Sequence, residues 1–525
     1  MSKVLYLLIE LATKVLLGLN RNLTKQRIMN YNQKRDHFIS PILEWAKKNK
    51  PKVSTAKNKF MATAAVSSCD HLKNAKPFEV PSQFNGKDYI TMLLQIDAEI
   101  EQGLMLQYLY AAYSMGGPQI PAKYQEKVHT WQNIILGIAK EEMGHFISVQ
   151  NVLKVIGAPL NFGRESYPWD SPFYPFPFTL EKFTLSSLAK YVYAEAPCEW
   201  LESDDPLAAE IIASVDTTVS DPHTVGALFV VLLQLINDPK VISDETFQAG
   251  TYSCQAKFDE WGRGYTGGNR GSDGKSIYTK SPDVLVAPLL SRDDAYNALS
   301  EIAEQGEGMD TKEETTPSHF ERFLHIYKEY KAILAETNNT FVPSRNVATN
   351  PYVGSKANIP EVPESSITAI EVESDKITDP EAILWSNLSD IRYRLLLNFL
   401  NHSFLLDNGY NNSGSFSPRG MIINSAFGEM YNLRSLATIL VQTPINKNKD
   451  VMGGPPFTLP YTFDLPFGEH NRWRLHRDLL EASHNIILEL KRFKDQPHIQ
   501  YLNGLQEADQ KLLQAIVDLT QDNLV

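Results

Sequence analysis

The helical period of the apolar residues constrains this chain most, because the period continues through positions held by charged side chains. In residues 137–153, GIAKEEMGHFISVQNVL, the positions that should be apolar run Ile138, Glu142, His145, Val149 and Val152, and on to Ile156. Spacings of three and four are the stripe a helix turns toward a core. Glu142 and His145 are three apart and leave the same face. An ionised carboxylate buried without a partner costs several kcal/mol. The pair therefore requires a counter-charge, from an arginine or from a divalent cation. Glu141 points off the stripe, so Glu142 is the residue assigned to the core.

One Glu-x-x-His pair arises easily by chance, but the same interruption recurs. Residues 88–114 carry Leu94, Asp97, Glu101, Leu104, Tyr108 and Ala111 on one stripe, with Glu101 at its middle. A short helix expected over 184–196 has Leu185, Leu188, Val192 and Glu195 in register and ends at Pro197. Near 300, Leu299, Ala303 and Glu307 align, whereas Glu304 falls to the polar side. The following helix opens on His319, in register with Phe323 and Ile326. Five helices that each place an acid or a histidine in an apolar stripe are most simply explained by shared ions at the centre of a bundle. Four carboxylates (Glu101, Glu142, Glu195, Glu307) and two histidines (His145, His319) are the donor inventory of a di-metal carboxylate site. Oxygen donors with some imidazole suit iron, manganese or zinc alike. Asp97, Tyr108 and Tyr193 are the candidates for holding the histidines through their free ring nitrogens.

Composition excludes other classes. The chain has 525 residues, 43% of them hydrophobic, and a net charge of −12. It can bury a large core, and its acidity argues against a nucleic-acid partner. Three dispersed cysteines, with no C-x-x-C pair, give neither a disulfide framework nor a thiolate zinc site, and favour a reducing cytoplasmic setting. Residues 1–19 are apolar but interrupted by Lys3, Glu10 and Lys14, too short and charged to span a bilayer. They are expected to dock on protein, with peripheral contact to a membrane surface as the alternative. GRGYTG at 262–267 fits a dinucleotide pattern literally but follows no strand and opens no helix, and GSDGKS at 271–276 fails as a phosphate loop because the preceding glycines do not leave four intervening residues and no strand precedes them.

Strand alternation is scarce, and the expected class is all-α. We divide the chain into a helical, partly mobile leader (1–80), a metal-binding helical domain (81–336), an irregular Pro-, Asn-, Ser- and Thr-rich connection (337–380) and a C-terminal helical domain (381–525). The stretch YPWDSPFYPFPF at 167–178 is read as the wall of an apolar or aromatic pocket or as a rigid cap on the bundle.

EIEQGLMLQYLYAAYS (99–114), IAKEEMGHFISVQNVLKVIGAP (138–159), YAEAP (193–197), FDEWGRGY (258–265) and IAEQGEG with SHFERF (302–323) together resemble the ferritin-like family that includes the iminophenyl-pyruvate dimer synthases of the violacein, rebeccamycin and staurosporine pathways. The resemblance covers roughly 86–335. It implies a ferritin-like four-helix bundle with additional helices and oxidative chemistry in natural-product biosynthesis. Two departures stand out. Those synthases are about twice as long, and Ala227 stands where members often carry a glutamate. The resemblance therefore transfers fold more safely than substrate.

The leading expectation is a non-haem di-metal oxidoreductase or oxygenase, with two irons or manganese in their place, acting on a small organic, aromatic amino-acid-derived substrate. Its expected partners are that substrate, O2 or peroxide, an external electron donor and further copies of the chain. Glu142 with His145 would hold one ion and Glu195 with His319 the other. Oxidative dimer synthesis, a non-catalytic metal-binding or redox-scavenging protein, and a scaffold with a vestigial site are the alternatives. A haem on one axial histidine also stays open.

Overall fold

The computed structural model describes residues 37–49, 75–164, 167, 173–174, 176–215, 224–261, 284–307, 317–354, 374–407, 417–448, 450–459 and 463–523. The apolar leader 1–19 and both glycine-rich motifs of 262–276 lie outside these residues. Two long helices, α1 (Gly86–Ser114) and α2 (Ala122–Val155), form an antiparallel hairpin and share the most extensive helix contact among the described residues. α3 (Leu185–Ala194), α4 (Pro206–Val215) and α5 (Thr224–Asn237) follow. α6 (Arg292–Glu307) and α7 (His319–Glu336) complete the bundle. α5 packs on α1 and α6, α3 packs on α7, and both α6 and α7 touch α2.

Local signals set the helix boundaries. Asn85 caps α1 by accepting the Asp88 N–H at 2.9 Å. Ser318 and Glu321 form a reciprocal capping box at α7, which fixes His319 as its first helical residue. Thr184 and Ser187 do the same for α3. Asp379 and Ser417 cap α8 (Pro380–Ser403) and α9 (Pro418–Leu440), each with proline in the first turn, where its missing N–H has no helical partner to lose.

The C-terminal unit is a second helical layer. α8 packs on α9 and on α10 (Glu469–Leu490), and α10 on α11 (Ile499–Asn523). Buried Arg392 of α8 ties them, donating to Glu429 Oε1 of α9 at 2.9 Å, to Ser483 Oγ of α10 at 3.0 Å and to Asp509 of α11. The two layers share one apolar core, which runs from Ile39 and Ile42 through α1 and α2 to Phe399, Phe404 and Trp473. Arg419 at the start of α9 bolts them together. Its guanidinium meets both oxygens of buried Glu260 at 2.8 Å and donates to the carbonyls of Gln255, Leu406 and Ser403. Glu260 and Trp261 are thus inside the molecule. The connection after α7 is ordered where described and laced to the α1–α2 turn: Gly116 N–H donates to Pro343 O at 2.9 Å and Arg345 N–H to Ser114 O at 2.8 Å. Among the described residues β-structure is limited to isolated bridges such as Met115 with Ser344.

Candidate metal centre

The α2 stripe is buried as its period requires: Ile138, Glu142, His145, Val149, Val152 and Ile156 are all at most 2% exposed. Gly144 sits between the two polar members. A Cβ there would meet Val284 Cγ1 at 2.9 Å, so glycine lets the segment 284–287 lie directly on the helix. Asn151 reinforces that contact through the carbonyls of Ala256 and Ala287.

Five of the six expected ligands converge. Glu101, Glu142 and His145 bring one donor atom each within 4.8 Å of one another, and so do Glu142, Glu195 and His319. Glu142 belongs to both groups. His145 Nδ1 lies 3.0 Å from Glu142 Oε2 and 3.3 Å from Glu101 Oε2. His319 Nδ1 lies 2.8 Å from Glu142 Oε1 and 3.9 Å from Glu195 Oε2. Glu195 is the C-cap of α3, released from the helix just ahead of Pro197, which cannot continue it. The end of α6 reaches the same place, since a Cβ on Gly306 would meet Glu195 Oε2 at 3.4 Å. Glu307 follows immediately, and its side chain lies outside the described residues.

The donor set fits a cation. Glu101 Oε2, Glu142 Oε1 and His319 Nδ1 are buried with no hydrogen-bond partner among the described residues. The last two are 2.8 Å apart, yet not aligned as a hydrogen bond. Side chains aimed past each other at a common point are what an ion with bonds near 2.1 Å would draw together. The outer ring nitrogens are held as metal-ligating imidazoles usually are. His145 Nε2 contacts Gln305 Oε1 at 2.7 Å, and His319 Nε2 contacts Glu141 Oε2 at 3.0 Å.

These orienting partners differ from the ones expected. Glu141, set off the stripe by its period, is 0% exposed. Neighbouring elements cover α2 on more than one side here, so leaving the stripe does not lead to water. Buried Arg322 pairs with Glu141 and makes its burial tolerable. The visible clue was the spacing of Arg322, three residues after His319 on the same helix. Of the expected orienters, Tyr108 donates its hydroxyl to Glu195 rather than to a histidine. Tyr193 packs its ring 6.3 Å from Phe176. Asp97 is fully buried, and both its oxygens lack a hydrogen-bond partner among the described residues. Ala227 is buried in α5 and offers no donor, while Glu195 occupies the second group.

The electrostatics match a centre that holds protons in the absence of metal. Burial pushes Asp97 up to about 8. Burial, then Glu142, pushes Glu195 up to about 7. Burial also drives Glu101 well above the usual carboxylate range. Burial works against Glu142 too, but His319 and His145 overcome it and hold its carboxyl low. Both imidazoles are raised against burial, His145 by Glu101 and Glu142 and His319 by Glu142 and Glu141. A divalent cation would replace these protons.

An aromatic shell surrounds the Glu195 side. Tyr174 stacks on Phe178 at 4.1 Å and meets Phe176 edge-on at 4.8 Å. Tyr108, Tyr191 and Phe323 form a second cluster with centroids 4.9 to 5.5 Å apart. The described part of 167–178 is therefore packed inside the bundle.

Fold and site together define an all-α protein with a buried carboxylate–histidine centre in its helical bundle. Residues 94–328 match the family model described as Ferritin-like. Within that class the chain is similar to a dichlorochromopyrrolate synthase from Lentzea aerocolonigenes, 26% identical over 397 residues, covering 69% of this chain and 35% of the relative. It is also similar to a 2-imino-3-(indol-3-yl)propanoate dimerase from Chromobacterium violaceum, 29% identical over 150 residues, covering 23% of this chain and 14% of the relative. The chain thus spans about a third or less of the length of these relatives. A solved ferritin-like protein from Caulobacter vibrioides aligns with 66% of this chain and 95% of its own at 15% identity and a TM-score of 0.37. Among the described residues no helix is long and apolar enough to cross a membrane.

Proposed function

We propose that this protein is a di-metal oxidoreductase, with iron as the metal, that oxidises a small aromatic amino-acid-derived molecule in natural-product biosynthesis. The observation that carries this reading is Glu142, shared by two donor groups at the buried centre of a ferritin-like bundle. The names of the two relatives support the substrate class, as both concern indole- or pyrrole-bearing products or substrates. Bound redox-active metal would supply one-electron chemistry with O2 or peroxide.

The chain's own residues set the conditions for that chemistry. Glu101, Glu142 and His145 would hold one ion, and Glu142, Glu195 and His319 the other, with Glu307 at the end of α6 as the sixth ligand. Gln305 and Glu141 fix the two imidazole rings so that each Nδ1 faces the centre. Tyr108, bonded to Glu195, and Asp97, with both oxygens unsatisfied, hold protons beside the ligands. The clusters of Tyr174, Phe176, Phe178, Tyr191 and Phe323 exclude water on the Glu195 side.

The test is iron-loaded protein with O2, a reductant and the imine formed enzymatically from L-tryptophan. Substrate-dependent O2 uptake with a new coupled or oxidised product is expected. Iron-loaded protein that takes up O2 at the same rate without substrate, and leaves the imine unchanged, would replace this reading with metal storage or scavenging.

A further inference from the structure

A second polar site lies far from the metal centre. The turn between α1 and α2, the residue Lys182 ahead of α3, and the chain leaving α7 enclose a half-open cleft of about 540 Å3. From Glu101 to Met115 the α1 helix rises about 21 Å at ~1.5 Å per residue, so the cleft is well separated from the ligands. Its lining includes Gln119, Lys182, Thr337, Phe341, Val342 and Arg345 and, among the described residues, no carboxylate.

Two cations face this cleft without an acidic partner. Lys182 Nζ contacts only a neutral acceptor, Asn346 Oδ1 at 2.7 Å. Arg345 donates from Nη1 to the Met115 carbonyl at 2.6 Å, and a guanidinium carries five N–H donors. Neither forms an ion pair among the described residues. Two neighbouring acids are already taken: Glu181 by Lys190 and Glu336 by Lys123, each at 2.7 Å. The chain's net charge is −12, yet among the described residues this cleft carries two cations and no carboxylate.

Arg345 is also held there by the backbone. Gly116 has φ +102, and a Cβ on it would meet Arg345 Nη1 at 2.9 Å, so the guanidinium lies flat across the turn. The N-terminus of α2 opens on the same cleft through Pro121, which provides no side-chain cap, and its first turn contains no acid. The field of that long helix adds to the positive potential of Lys182 and Arg345. Phe341 and the half-exposed Val342 give the cleft an apolar wall beside its charge.

We infer that this cleft binds a small organic anion, a carboxylate or phosphate on an apolar body, with Lys182 and Arg345 as its charge partners. The anion would pin the connection after α7 to the α1–α2 turn. This site is independent of the metal centre.

The experiment is calorimetric titration of the full chain at low ionic strength with phenylphosphonate, benzoate, inorganic phosphate and neutral benzyl alcohol. Saturable binding of phenylphosphonate or benzoate is expected, with none of benzyl alcohol. The stronger of the two anions identifies the headgroup, and inorganic phosphate binding more weakly than phenylphosphonate shows the apolar wall at work. Lys182→Met and Arg345→Met should each weaken binding about ten-fold, the loss of one charge-assisted contact. Lys182→Met alone keeps the test valid if Arg345→Met disturbs the turn, because among the described residues the Lys182 side chain bonds to exposed Asn346 alone. Glu142→Ala should bind the anion unchanged, which separates this cleft from the metal centre. No saturable binding by the wild type, unchanged affinity in Lys182→Met, or loss of binding in Glu142→Ala would each overturn the inference.

Discussion

Replacing Glu142 is the sharpest test of the centre, because among the described residues only Glu142 belongs to both donor groups. A ligand present at a hundred times its Kd stabilises the fold by ~2.7 kcal/mol, so two ions held independently contribute ~5 kcal/mol. With an unfolding entropy of ~2.1 cal/mol/K per residue, a chain of 525 residues has ~1.1 kcal/mol/K in all. Each ion then raises Tm by ~2.5 °C and the pair by ~5 °C. Mn(II), which is stable to air, is the probe. Calorimetry with and without Mn(II), alongside elemental analysis, should show two ions and ~5 °C for wild type. Glu101→Ala should retain one ion and about half the shift. Glu142→Ala should retain neither, and Glu142→Gln separates loss of the ligand from loss of shape. Full metal content and an undiminished shift in both Glu142 variants would refute a centre built on this residue.

Other outcomes follow from the same geometry. In metal-free protein Glu195 and Asp97 titrate above their unfolded values, so the folded state binds more protons than the unfolded one, and Tm should fall as pH rises from about 4.5 to about 8. The two raised histidines act in the same direction, whereas Glu142, held low, contributes stability that is lost only in acid. Mn(II) should bind more tightly across that rise and release protons, measurable by calorimetry in buffers of differing ionisation enthalpy. Glu141→Gln removes the carboxylate behind His319 and should weaken metal affinity about 10- to 100-fold, read by chelator competition. Arg419→Met leaves Glu260 as an unpaired buried charge and should cost ~3–5 kcal/mol in denaturant unfolding, and a loss under 1 kcal/mol would show the bolt to be dispensable.

The sequence was most informative where one helical face is enough to fix a side chain's surroundings. Glu101, Glu142, His145, Glu195 and His319 interrupt apolar stripes, and burial of a stripe follows from its period. The stop at Pro197 was also local, and the capping box that the structure shows at Ser318 is of the same short range; they hold Glu195 and His319 at helix ends. Glu141 was misplaced because a stripe describes a single face, whereas α2 is packed on several. Gln305 and Glu141 could not be identified as the partners of the histidines, since the spacing of one helix says nothing about which residue of another it meets.

What the sequence determined by itself was therefore the all-α class, the helix ends marked by local signals and the burial of Glu101, Glu142, His145, Glu195 and His319. Each depends on hydrogen bonds and periods within a few turns of chain. Tertiary structure alone decided that Glu142 lies between both histidines, that Arg322 neutralises Glu141, and that Arg419 locks two helical layers into one core. It also set Lys182 and Arg345, 163 residues apart in the chain, on one cleft. Those relations are distances between separate helices and loops, fixed by how whole elements pack.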